Sequence, residues 1–290
     1  MNKEFIQFVK KILNRIGVDI VRFKDPFNLS LYQKIYTVDI LNKKPFYNVG
    51  SGDFYHPYWT NLDYISDCYK NIQKNVINHN LMSKLPLPIE TGKAKIIYTS
   101  HTIEHIKEDA AQVLFNEAYR CLDQGGVFRI TTGPDAESDF RALLNNDEDW
   151  FYWDKYYVKK GSYESNYFKP ATNVPLSERW LNHFASELAP NNITLSKIKL
   201  SDQQILELIQ KLGFPNVLDY LCSLCEFRSE NPSNHISWWT HDKVLAFLKN
   251  AGFKNSYRSG YGQSCSPLMR NSKLFDSTHP QMSLYVEAVR

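Results

Sequence analysis

Phe46-Tyr47-Asn48-Val49-Gly50-Ser51-Gly52-Asp53 is an apolar strand that breaks into two glycines and then an acid. Glycine has no Cβ, so the backbone at Gly50 and Gly52 can turn sharply and let a ligand lie against main-chain N–H groups. Many ordinary turns contain such a pair, so its meaning depends on the residues downstream. Trp59-Thr60-Asn61-Leu62-Asp63 reads as a second short strand ending in a carboxylate. Ala94 to Ser100 (AKIIYTS) is an apolar strand running into His101-Thr102-Ile103-Glu104-His105-Ile106. From Lys107 to Leu122, Ala110, Val113, Leu114, Ala118 and Cys121 recur at helical spacing, and Gly125-Gly126 is expected to stop that helix. Val127 to Thr132 then reads as a fifth strand.

In a dinucleotide-binding unit the ribose-holding acid follows the glycines by ~20 residues and a full helix. Asp63 comes at roughly half that distance. A crossover helix does not fit, which disfavours a nicotinamide coenzyme.

Together these residues resemble the class I S-adenosylmethionine (SAM) methyltransferases. The resemblance is closest to a bacterial subgroup with a short N-x-G-x-G loop, an N-L-D second strand and an H-x-x-E-H after the fourth. Members of that subgroup are often associated with polysaccharide biosynthesis. The likeness covers residues 45 to 135 and resumes at 236 to 290. It implies an α/β fold of the class I methyltransferase (Rossmann-like) type: a seven-stranded sheet with an antiparallel terminal hairpin. N-terminal helices (1–44) precede that core, and a helical, aromatic-rich insertion (136–235) comes after the fifth strand as a lid for the acceptor.

The resemblance also implies a site. Asn48, Val49, Gly50, Ser51 and Gly52 would cradle the methionine part of SAM, with Asn48 standing where the family often has an acid and Asp53 the nearest charged substitute. Asp63 would take both ribose hydroxyls. Asn80 would accept from the adenine amino group and Leu81 pack on its face, with Ser100 closing the site at the end of the fourth strand. Phe54 replaces the usual third glycine, which puts the packing of a following helix in doubt. His101 or His105 is the expected general base, since histidine titrates near neutral pH, with Glu104 as its orienting partner. Glu104 and His105 could instead only fix the start of the next helix. Some relatives bind a divalent metal at a similar Glu-His pair, but no second His and carboxylate cluster is evident here, so no metal is expected.

Around this core, residues 3 to 23 alternate apolar and basic side chains as an amphipathic helix. Packing on its own domain is the favoured use, and an anionic membrane surface the other. Further helices are expected at Leu31 to Leu41 and from Asp67 to Lys74, with a third strand at 75–78. The insertion opens with a dense aromatic tract that includes Trp150, Phe151, Trp153, Tyr156 and Tyr163, suited to stacking on sugar rings or to an ordinary satellite core. Its helices are expected at Leu176 to Leu188, Ser201 to Leu212 with a Ser201-x-x-Gln204 capping box, and Val217 to Phe227. Thr240 should cap a helix through Lys249, ahead of strands at 254–261 and 282–288.

The 290 residues, 43% hydrophobic and 14% aromatic, suffice for one sizeable α/β core with an elaboration. A net charge of +3 with scattered Lys and Arg argues against nucleic acid as a partner. Five cysteines without a disulfide framework suit a reducing compartment, and Cys222 and Cys225 read as buried thiols on one helix face rather than a zinc site. No window reaches the ~20 apolar residues of a membrane span, so a cytoplasmic protein is expected. The function implied is methyl transfer to a hydroxyl of a sugar or glycan precursor. A quinone or lipid acceptor, or a SAM-binding partner protein without turnover, would fit the same motifs.

Overall fold

A strand buried on both faces reads as a near-continuous apolar run, and the chain folds around several of these. The computed structural model describes residues 25–66, 76–151, 174–192 and 196–290. Its sheet comprises β1 (Phe46–Val49), β2 (Trp59–Asp63), β3 (Val76–Asn78), β4 (Ala94–Ser100), β5 (Leu122–Thr132), β6 (Asn255–Arg258) and β7 (Leu284–Val289). Their order is β3-β2-β1-β4-β5-β7-β6. The first five run parallel, whereas β7 is antiparallel to both β5 and β6. This is the seven-stranded sheet with antiparallel terminal strands that the resemblance leads one to expect.

Successive strand residues face opposite sides. Ile97 of β4 and Phe128 and Ile130 of β5 therefore join one core, under α3 (Glu108–Cys121) and α8 (His241–Ala251). Ile96 and Tyr98 join another, with Phe46, Trp59, Phe275 and two short leading helices, α1 (Leu29–Ile35) and α2 (Val38–Asn42). α3 buries Ala110, Ala111, Leu114, Phe115, Ala118 and Cys121 along one stripe. α8 starts where the Thr240 hydroxyl accepts from Lys243 N–H and stops at Gly252, whose φ is +106°. Between β1 and β2 there is no helix, in keeping with the short spacing to Asp63.

Three expectations about elements are corrected. Leu31 to Leu41 is not one helix: Tyr36 and Thr37 are extended between α1 and α2. Tyr32 and Leu41 both enter the same core, yet at 3.6 residues per turn they would lie on opposite sides of a straight helix. Gly125-Gly126 does not end α3, because β5 begins directly at Leu122. The glycines instead sit where the β4–β5 register slips between the Ala94 and Ile96 pairings, and Gly125 takes φ +78° there. Leu176 to Leu188 breaks into α5 (Leu176–Asn182) and a 3₁₀ turn at Ser186–Leu188. The helix cannot continue because Ser186 N–H is given to His235 O, and His235 N–H returns to Ser186 Oγ.

The insertion contributes α4 (Ala136–Leu144), α5, α6 (Asp202–Leu212) and α7 (Asn216–Ser223). The Ser201–Gln204 capping box is formed. Phe140, Trp180, Leu181, Phe184, Ile205 and Leu218 centre a core of its own. Cys222 and Cys225 are both buried in it, each thiol directed at a backbone carbonyl. Phe151 is buried against His183, while the tract from 152 to 173, the helix expected at 3–23 and that at 67–74 lie outside the described residues. Among the described residues no helix is long and apolar enough to cross a membrane.

Candidate active site

The order β2-β1-β4-β5 reverses direction between β1 and β4, so the loops leaving their carboxyl ends part and leave a crevice. A cleft of about 520 Å³ lies there, within the size range of small-molecule sites. Asn48, Val49, Gly50, Ser51, Gly52, Asp53, Asp63, Asn80, Leu81, Ser100, His101 and His105 all line it. Of the residues singled out in the sequence only Glu104 does not.

The glycine loop is held from two sides. Gly50 and Ser51 N–H both donate to Leu62 O (2.9 and 3.2 Å), and Gly50 and Gly52 adopt φ of +69° and +52°. Thr102 packs directly over Gly50, with its Oγ1 donating to Ser100 O at 3.2 Å. No side chain fits at Gly50. Asp63 Oδ2 accepts from Gly52 N–H (2.6 Å) and Oδ1 from Tyr64 N–H (2.7 Å), which ties the acid to the loop it serves. Burial raises the Asp63 pKa, and those two donors offset part of the rise. Each carboxylate oxygen retains capacity for a further hydrogen bond.

Asn48 and Ser51 are buried at the cleft wall, and Asn48 Oδ1 and Ser51 Oγ have no hydrogen-bond partner. Buried polar atoms left so are uncommon in native proteins and mark places where a ligand completes the set. Asn80 Oδ1 accepts from Met82 N–H at 2.9 Å and so caps the 3₁₀ turn Leu81–Ser83. A carbonyl oxygen accepts twice, so this local role leaves room for a ligand.

At the end of β4 the ladder continues through His101 N–H to Thr131 O, after which His101 turns to φ +49°. A non-glycine residue held in this region stores strain, a feature that clusters at functional sites. Its Nε2 lies 2.8 Å from Ser283 Oγ and 3.1 Å from Thr278 O. Its Nδ1 stands 3.0 Å from Glu104 Oε1. Glu104 is 2% exposed, and its Oε2 accepts from the Thr132 hydroxyl at 2.7 Å. Burial pushes the Glu104 pKa up, but His101, His105 and His235 together outweigh it and hold the carboxyl well below its usual range. The acid does not cap α3; its carboxylate belongs to the histidine cluster.

Sequence reasoning missed Thr102 and His235. The insertion returns to the sheet where Ile236 N–H donates to Glu104 O (2.8 Å) and Ser237 Oγ to Ile103 O (2.8 Å), and this lays His235 against His105 with ring centroids 4.8 Å apart. The sequence offered no second His and carboxylate cluster beside the Glu-His pair; the structure brings one further histidine there, from the far end of the insertion. Burial, then the neighbouring His105, push the His235 pKa down to about 3. His279, whose ring lies 5.6 Å from that of His101, is lowered to about 4, chiefly by burial.

No protein-family model and no curated relative matches the sequence. Among solved structures the chain is similar to an S-adenosylmethionine-dependent methyltransferase from Mesorhizobium loti, at 14% identity over 84% of this chain and 90% of that one, with a TM-score of 0.39. It is also similar to a SAM-dependent methyltransferase from Archaeoglobus fulgidus (8% identity, 91% and 100% covered, TM-score 0.39). A third is a possible histamine N-methyltransferase from Thermotoga maritima (9% identity, 91% and 97% covered, TM-score 0.37). Likeness at this level concerns outline, and what bears on function is the cleft itself.

Proposed function

We propose that the chain is a SAM-dependent methyltransferase acting on a hydroxyl oxygen of a sugar or glycan precursor. The observation that carries this reading is the convergence on one switch-point cleft of a glycine loop with no room for a side chain at Gly50, a carboxylate tied to that loop, and two buried polar atoms without partners. Asp63 would accept from both ribose hydroxyls, Asn48 Oδ1 from the ammonium group of the methionine part, and Asn80 from the adenine amino group beside Leu81. The donor sulfonium arrives already activated. The protein then has to hold donor and nucleophile in line and remove one proton.

His101 and His105 border the cleft where that proton would leave. His105 Nδ1 is 3.1 Å from Asn234 O; a carbonyl can only accept, so Nδ1 carries the hydrogen and Nε2 offers its lone pair. The insertion would act as the acceptor's lid, with Phe227 and Pro232 at the cleft and Phe227 near the Tyr64 ring (6.1 Å). Calorimetric titration with S-adenosylhomocysteine tests the reading. Wild type should bind, and Asp63→Ala should lose at least tenfold in affinity, about 1.4 kcal/mol for one charged acceptor. Tight binding of NAD in place of S-adenosylhomocysteine would overturn the assignment.

A further inference from the structure

Beside the cleft, one potential ligand atom from each of Glu104, His105 and His235 lies within 4.8 Å of the other two. Around an ion bonded at about 2.1 Å, neighbouring ligand atoms stand roughly 3–3.5 Å apart. Side-chain shifts of about an ångström would close the set.

Both imidazoles are prepared for that role by their outer nitrogens. His105 Nδ1 donates to Asn234 O (3.1 Å) and His235 Nδ1 to His183 O (2.9 Å). Each ring is therefore the tautomer with its lone pair on Nε2, and a ligating histidine characteristically gives its other N–H to a carbonyl in this way. The acid is prepared as well. Glu104 is 2% exposed, its Oε2 is satisfied by Thr132, and its buried Oε1 has His101 Nδ1 at 3.0 Å. Two imidazole lone pairs and a carboxylate oxygen gathered within 4.8 Å make a donor set that a cation would join.

We infer that Glu104, His105 and His235 bind a divalent first-row transition metal ion at the edge of the cleft. Two imidazoles and one carboxylate favour zinc, iron, cobalt or manganese over calcium or magnesium, which take mostly oxygen ligands. His105 is also a cleft residue, so the open side of the ion would face the acceptor. There it would orient the acceptor hydroxyl and make its proton easier to lose. That catalytic use rests on the methyltransferase reading, whereas binding of the ion does not.

The test uses untagged, chelator-stripped full-length protein titrated with Co²⁺, read by its visible d–d absorption and by elemental analysis. S-adenosylhomocysteine affinity is measured by calorimetry on the same samples. Wild type should take up one equivalent of Co²⁺. His235→Ala and Glu104→Gln should each weaken uptake 10- to 100-fold while leaving S-adenosylhomocysteine affinity within about twofold. No Co²⁺ uptake by wild type, or uptake by His235→Ala equal to wild type, overturns the site. Should His235→Ala fail to fold, the wild-type stoichiometry and the near-isosteric Glu104→Gln decide. Absent Co²⁺ uptake with S-adenosylhomocysteine binding intact removes the metal alone; Co²⁺ uptake without that binding removes the cofactor reading alone.

Discussion

Replacing Gly50 by alanine puts the close packing of the loop to a quantitative test. An alanine Cβ there would stand 2.5 Å from Thr102 Cγ2 and 2.8 Å from Thr102 Cβ, with Oγ1 nearer still. Rotating Thr102 cannot clear its own Cβ, so backbone must move, at the ~1–3 kcal/mol typical of overpacking. The φ of +69° adds ~1–2 kcal/mol for any L side chain. Together Gly50→Ala should lose about 2–5 kcal/mol in urea unfolding. Gly52→Ala is the internal control: φ is +52° but nothing lies within 4 Å of its Cβ, so only the ~1–2 kcal/mol backbone cost remains. Thr102→Gly removes all three contact atoms, and the Gly50→Ala/Thr102→Gly pair should show favourable coupling of ~1–3 kcal/mol in a double-mutant cycle. S-adenosylhomocysteine affinity should fall at least tenfold in Gly50→Ala, because the displaced strand end carries Asn48 and Ser51, the cleft residues with unpartnered side-chain oxygens. Stability of Gly50→Ala within ~0.5 kcal/mol of Gly52→Ala, with no coupling to Thr102, would refute the packing described.

Ser51→Ala should leave unliganded stability unchanged or raise it by up to ~1 kcal/mol, since it removes a buried hydroxyl without a partner; the same variant should bind S-adenosylhomocysteine more weakly, and a destabilised apo protein with unchanged affinity would show that the hydroxyl faces protein instead. Asp135 accepts from Ser138 N–H, His241 N–H and His241 Nδ1, joining the starts of α4 and α8. Burial raises its pKa, but these donors outweigh it and bring it from 3.8 to about 2. A lowered carboxylate pKa stabilises the fold above the unfolded value and loses that contribution as pH falls from near 4 toward 2, here about 2 kcal/mol. Unfolding of Asp135→Asn against wild type from pH 7 to pH 3 should show the gap narrowing on the acid side, and a pH-independent gap counts against it. Arg129 is fully buried between Asp276 and Glu287, so Arg129→Met should cost ~3–5 kcal/mol by stranding two buried carboxylates; a loss below 1 kcal/mol in the same assay would contradict that pairing.

The sheet was legible because its signals are local. The apolar runs at Phe46, Ala94 and Val127 announce strands buried on both faces, and the short interval from Gly52 to Asp63 excludes a crossover helix. The same locality explains the cleft: nearly every predicted lining residue sits at the carboxyl end of a strand, where topology alone gathers it. Breaks in helices were not legible, since what splits Leu176 to Leu188 is a hydrogen-bonded exchange with His235, a partner remote in sequence. Gly125-Gly126 misled for a related reason. A glycine pair after a helix and one at a β-bulge look alike until the neighbouring strand fixes the register. His235 itself lies in Ser233-Asn234-His235-Ile236, which carries no motif; only the bonds from Ile236 and Ser237 to the 3₁₀ turn give it meaning.

These contacts also bear on which histidine could serve as base. A base must turn a lone pair toward the acceptor, and both ring nitrogens of His101 are directed at protein atoms: Nε2 at Ser283 and Thr278, Nδ1 at Glu104. His105, which lines the cleft, commits Nδ1 to Asn234 O and keeps the lone pair on Nε2. One lone pair cannot hold a metal ion and accept a proton at once. If Co²⁺ binds through His105, the proton must leave by another route, with the ion acidifying the hydroxyl and His101 positioned by Glu104 beside it. The acceptor reaction should then depend on the metal, and His105→Ala should be partly rescued by raising the metal concentration. If no ion binds, His105 becomes the stronger candidate base, and His105→Ala should lower kcat by ~10²–10⁴ without rescue by metal. Rescue in one case and its absence in the other separates the two chemistries at a single side chain.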